Sequence, residues 1–145
     1  MTSRNTVATM LLYAAITLLC ACSKADQPMP LTKENIMSYR SKLVAARDKM
    51  TAKDRETAQK SLDGSKKLFA QTFVEPMQEL GFSYDQTVKS CAEGLEQGKL
   101  KDADQETRTE VEGFLVMAKS VDVFAAKNGF ISADTKKSLD RIQLK

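Results

Sequence analysis

The sequence predicts an all-α protein, a bundle of about five helices, on three observations. From Thr32 onward, apolar residues recur at helical rather than strand spacing. Ser, Thr or Asp stands where each helix should start, and Gly where most should stop. Hydrophobic content of 42% with charged content of 28% is that of a folded domain with one modest core.

The elements follow in order. Thr32 should cap a first helix running to about Met50, with Ile36, Tyr39, Leu43, Ala46 and Met50 on one face. Thr51 with Asp54 is a capping signature for a second helix, bearing Ala58, Leu62, Phe69, Phe73, Met77 and Leu80. Gly64 weakens that helix, Pro76 should kink or break it, and Gly81 should end it. Ser83 with Gln86 reads as the next capping box. The third helix carries Tyr84, Val88, Cys91 and Leu95 on one stripe and stops near Gly98. A fourth helix is expected from Asp102 to Lys127. Between Val111 and Ala126 it is apolar on nearly every side, which places it at the bundle centre. Asn128-Gly129 ends it, and Ser132 caps a short last helix bearing Leu139 and Ile142.

A faint repeat crosses these elements. Asp54-Arg55-Glu56-Thr57 recurs as Asp104-Gln105-Glu106-Thr107, fifty residues on, and Gly81-Phe82 recurs as Gly129-Phe130, forty-eight on. Either the domain is two long–short helical hairpins behind a leading helix, or caps and glycine stops have recurred by chance. Superposing residues 51–97 on 101–144 separates the two.

Ahead of the helices lies a different kind of sequence. Residues 1–6 are polar with Arg4 as the one charge, and Val7 to Leu19 is an apolar run of thirteen residues. A membrane-spanning helix needs about 20. The run is therefore expected to be the core of a signal peptide rather than an anchor. It ends in Leu19-Cys20-Ala21-Cys22, which resembles the lipobox of bacterial lipoproteins. Leu and the small Ala fit the pattern with Cys22 as acceptor; with Cys20 as acceptor the preceding Leu19 is too bulky. The resemblance implies cleavage after residue 21 and a thioether-linked diacylglycerol on Cys22, usually with an acylated amine. Ser23 follows the cysteine in place of the Asp that tends to retain such proteins at the inner membrane. The implied location is the periplasmic face of the outer membrane. Residues 1–21 are thus read as signal, 22–31 as lipidated cysteine and tether, and 32–145 as the helical domain. Pro28 and Pro30 forbid a helix in the tether, which would hold the domain within roughly 30 Å of the bilayer.

Removing residues 1–21 from the 145 leaves 124, and the net charge falls from +3 to +2 with the loss of Arg4. Acidic and basic residues alternate along the chain. Nucleic-acid binding needs a concentrated basic face, so no nucleic-acid partner is expected. After Cys20 departs and Cys22 takes lipid, Cys91 is alone, and no internal disulfide can form. Cys91 is read either as a small buried hydrophobe or as a thiol that pairs with a partner protein.

The chain has no His. That removes Ser-His and Cys-His catalysis and the commonest metal ligand. Gly94-x-x-x-Gly98-Lys99 is one residue short of a phosphate loop and reads as a helix end. Asp102-x-Asp104-x-Glu106 opens like a calcium loop, but Thr107 and Gly113 stand where that loop needs Gly and Glu. It reads as the acidic first turn of the fourth helix. No catalytic residue, metal or cofactor is expected.

The expected function is that of a membrane-anchored, non-catalytic accessory lipoprotein of the bacterial envelope, with a protein partner. Pilotin-like escort of a secretion or pilus component is one version. A plasmid- or phage-encoded exclusion lipoprotein is the alternative, and an enzyme with paired carboxylates stands behind both. The candidate partner surface is Met37, Phe82 and Phe130, with Met29 near the tether; an exposed apolar patch there would mark a docking site.

Overall fold

The computed structural model describes residues 27–144. The signal segment, Cys20, Cys22 and residues 23–26 of the tether lie outside the described residues. The described chain is an all-α bundle. Its helices are α1 (Lys33–Lys49), α2 (Ala52–Lys60), α3 (Leu62–Phe69), a π-helical turn (Ala70–Val74), α4 (Glu75–Gln78), α5 (Tyr84–Glu96), α6 (Gln105–Ser120), α7 (Asp122–Lys127) and α8 (Ala133–Arg141). The five expected helical runs are present, two of them broken.

The punctuation was read correctly at most positions. Thr32 and Ser132, expected as caps, each accept a hydrogen bond from the backbone N–H three residues on; Ser61 and Asp104, not expected as caps, do the same. Thr51 and Asp54 form the reciprocal capping box. Ser83 differs: its hydroxyl accepts from Gln86 N–H at 3.3 Å, but its own N–H donates to the Gln27 carbonyl at 2.9 Å instead of to Gln86. The expected box is therefore half a box, completed by the chain ahead of α1. At the other helix ends Gly81, Gly98 and Gly129 have φ of 83°, 67° and 77°. At each, the following N–H reaches back five residues: Phe82 to Met77, Lys99 to Gly94, Phe130 to Ala125. These are Schellman ends, which need a residue at positive φ.

The second run breaks at Ser61, not at Gly64. Ser61 leaves helical geometry at φ −140° and caps α3. Its hydroxyl accepts from Gly64 N–H at 2.9 Å, and the Ser65 hydroxyl donates back to the Ala58 carbonyl. Gly64 sits where the corner is tightest: a Cβ there would lie 3.0 Å from the Thr57 carbonyl oxygen and 3.1 Å from Ala58 Cα. The corner turns Leu62 outward, and it is exposed rather than buried as expected. Pro76 does not end the run, which stays helical through Gln78. The turn before it widens into a π turn, in which Glu75 N–H donates to the Ala70 carbonyl five residues back. A wider turn relieves the clash between a proline ring and the carbonyl four residues earlier.

The fourth run starts at Gln105, three residues later than expected, because Asp104 and not Asp102 is the cap. It breaks at Val121, φ −120°. Val111, Leu115, Ala118 and Ala125 are buried, whereas Val116, Met117 and Val123 are exposed. The run lies on the bundle's flank, not at its centre. The first half of the faint repeat is not matched in structure. Asp54 is the third residue of α2 while Asp104 is the cap of α6, so the matched sequences are three positions out of step. Only the Gly-Phe corners correspond.

One core unites the bundle, from Met29 and Tyr39 through Met77, Val88 and Leu115 to Leu139 and Ile142. α5 packs most extensively on α8; α1 packs on the π turn, α4 and α6. Residues 27–31 belong to this body. Met29 is buried, and its N–H donates to the Thr87 hydroxyl at 2.8 Å. The second half of the expected tether is thus a strap docked on α5. Its prolines exclude helix, and extended backbone docks through its own polar groups.

Candidate interaction groove

The inner face of α1 carries Ile36, Tyr39 and Leu43, one helical turn apart. Tyr39 is buried with its ring edge against Phe114 of α6, centroids 5.7 Å apart. Its hydroxyl donates to the Phe73 carbonyl in the π turn at 2.9 Å. Burial raises the Tyr39 and Tyr84 hydroxyls above the usual tyrosine range. Phe73 sits 4.9 Å from Phe69, which stacks on Phe130 at 4.5 Å and lies 5.7 Å from Phe124. An aromatic chain therefore runs from α6 beneath α1 to the α7–α8 corner.

The surface above that chain is left open. Between α1, the π turn and α6, Ile36, Tyr39, Leu43, Val44, Phe114 and Met117 line a groove of about 470 Å³. Between the α2–α3 corner, α1 and α7, Ala58, Leu68, Phe69 and Phe124 line a second stretch of about 570 Å³. Both are lined by Arg47, Thr72 and Phe73, so they meet over the π turn. Val44 and Met117 are each 41% exposed along it. The charged groups of the lining are three arginines, Arg40, Arg47 and Arg55, and one carboxylate, Glu110. Arg40 pairs with Glu110 at 2.6 Å. A third groove of about 680 Å³ opens on the other side of α1 and borders the second stretch at Met50 and Leu68. It is polar, with Lys42, Lys49 and Lys67 facing Asp54, Glu75 and Glu79. Lys42 bonds Glu79 at 2.6 Å and holds its carboxyl below the usual range.

Of the residues expected to mark a partner surface, Met37 is exposed on α1, one turn from Arg40 and two from Val44. Phe82 and Phe130 are half-buried and Met29 is fully buried; all pack into the core. The glycine corners point both phenylalanines inward, as Schellman ends commonly do with the residue after the glycine. The residues missed are Val44, Met117 and the arginines. The signal available for α1 was a second stripe, Met37, Arg40, Val44 and Arg47, beside the apolar one.

Cys91 is buried, and burial pushes its thiol up to about 12. The reading as a thiol for a partner protein does not stand; the buried hydrophobe does. The acidic cluster at the start of α6 is spent on the fold. Asp104 accepts from the Thr107 N–H and hydroxyl, which hold its carboxyl below the usual range, and Glu106 pairs with Lys33 at 2.5 Å. Among the described residues no three His, Cys, Asp or Glu side chains cluster as metal ligands, and no helix is long and apolar enough to cross a membrane. In comparisons with known proteins, no family model, no curated protein and no solved structure matches the chain.

Proposed function

We propose that the chain is a lipid-anchored, non-catalytic accessory protein of the bacterial envelope that holds a protein partner in the groove beneath α1. The observation that carries the binding role is an open apolar groove with Val44 and Met117 exposed along it, where a monomer without a partner would gain by covering them. Leu19-Cys20-Ala21-Cys22 supports the anchor, with Cys22 as the lipidated residue. Pilotin-like escort of a secretion or pilus component fits this arrangement. The non-catalytic reading rests on the absence of His, the buried protonated Cys91 and carboxylates engaged in caps and ion pairs. Docking of residues 27–31 leaves five residue steps between Cys22 and Gln27, a reach of at most ~18 Å. The domain would therefore sit close on the membrane, at the periplasmic face of the outer membrane.

The test is metabolic labelling with a fatty-acid probe. The natural chain should take label and run as processed protein, and Cys22→Ala should take none and keep its signal segment. Labelling of Cys22→Ala would overturn the assignment of the anchor.

A further inference from the structure

The groove is specific about what could fill it. Its floor is apolar, and the hydroxyls that line it are already engaged. Thr72 donates its hydroxyl to the Leu68 carbonyl at 2.7 Å, and the Tyr39 hydroxyl is committed to Phe73. An extended peptide laid there would bury N–H and C=O groups with no partners, which is costly. A helix brings its backbone hydrogen bonds with it and presents only side chains. An acyl chain would also fit an apolar floor, but this groove is open along one side and would leave that chain half in water.

Length and charge narrow the occupant further. From Ile36 to Arg47 the α1 wall rises ~16 Å, about three helical turns. Glu110 is paired with Arg40, which leaves Arg47 and Arg55 as the charges of the lining that no carboxylate of the groove meets. Arg47 bonds only its exposed sequence neighbour Asp48, a pair of little worth, and Arg55 reaches the Met50 carbonyl at 3.5 Å. Among the described residues Arg55 has no carboxylate on its fork, and on Arg47 a partner carboxylate would displace only the exposed Asp48, whose Oδ1 takes both Nε and a terminal nitrogen.

We propose that the groove takes a short amphipathic helix of a partner protein, its apolar stripe against Tyr39, Phe73 and Phe114 and its flanking Asp or Glu residues on Arg47 and Arg55. This deepens the accessory-protein reading and rests on it. Exposed Gly113 offers a way to close the site without disturbing the core, since a Cβ there meets nothing within 4 Å.

The experiment uses the lipidated chain in nanodiscs of zwitterionic lipid, which avoids detergent in the groove. The probes are two fluorescent 14-residue helical peptides with the same leucine stripe, one flanked by Glu and one by Lys, read by anisotropy. The Glu peptide should bind about tenfold tighter or better, as one charge-assisted pair implies. The double variant Arg47→Glu, Arg55→Glu should reverse the order, and Gly113→Phe should abolish binding with the helical circular dichroism unchanged. Equal binding of the two peptides, or none to a folded protein, would overturn the proposal. So would displacement of the Glu peptide by anionic vesicles alone, which would make the groove a lipid contact. In-cell photo-crosslinking separates this failure from that of the broader reading. A protein caught from the polar groove at Lys42 but not from Val44 or Met117 removes the helix-docking proposal and keeps the accessory role. No protein caught from any of the three removes both.

Discussion

Cys91 lies between Val88 and Ala92 on the inner face of α5, and Tyr84 stands two turns before it. All are buried, and burial alone raises both the thiol and the Tyr84 hydroxyl; Tyr39 is raised by burial first and then by the neighbouring Tyr84 and Cys91. The consequence is a stability that falls with alkali. In the unfolded chain the thiol ionises near 9.0 and the tyrosines near 10.0, whereas in the fold they stay protonated to higher pH. Between those limits the unfolded state binds fewer protons, so the free energy of unfolding drops with rising pH. Each group contributes a slope of about 1.4 kcal/mol per pH unit. Lys33 and Lys136, raised by Glu106 and Asp140, act in the same direction at higher pH still. Urea midpoints should therefore be level from about pH 7 to pH 8.5 and fall steadily above about pH 10. Cys91→Ala should remove the earliest part of the fall, and a midpoint unchanged to about pH 11 would refute the buried state of all three groups.

At the scale of the element, the two breaks that were not foreseen have a common physical basis. Caps and glycine ends are made of hydrogen bonds within five residues, and Thr51, Asp54, Gly81, Gly98 and Gly129 could be read directly for that reason. The corner at Ser61 depends on Gly64 meeting Thr57 and Ala58 across it, and the break at Val121 on how α7 meets α8. Those are contacts that no local pattern carries. Substitution of two glycines distinguishes a corner from a straight helix. Gly64→Ala places a methyl group against backbone and should cost more than about 1 kcal/mol, although alanine favours helix. Gly113→Ala, in open space inside α6, should add about 0.5–1 kcal/mol. Urea denaturation of the two variants measures both. A stabilising Gly64→Ala would mean that α2 and α3 form one continuous helix. The candidate groove was legible only in part for a related reason: Met37 lies on its α1 flank, but the helix that exposes Met117 was expected to be the buried one.

At the scale of the described molecule, most ion pairs that join distant segments, among them Lys33–Glu106, Arg40–Glu110 and Arg141–Glu96, lie at the surface and contribute little each. Cohesion comes from the single core and from the strap of residues 27–31 that closes it. Pro28 and Pro30 say that this strap is not helical; they do not say whether it is free, and so it reads as tether in the sequence. With the proposed lipid on Cys22, its docking would link fold to anchorage. Met29 fills the core and its N–H is satisfied by Thr87, while Gln27 supplies the carbonyl for the start of α5. Met29→Ala should lower the free energy of unfolding by about 2–4 kcal/mol, as for a buried methionine. Met37→Ala, on the exposed face of α1, should change it by less than about 0.5 kcal/mol. If both were silent, residues 27–31 would be spacer after all. Under the proposed lipid anchor, the same substitution should act at the membrane. With the strap released, the span between Cys22 and α1 doubles from about five residue steps to ten, and its greatest reach from ~18 Å to ~35 Å. Energy transfer from a label at Lys60 to acceptor lipids should then weaken in Met29→Ala and hold in Met37→Ala, because only the first loosens the tie between the core and the anchor.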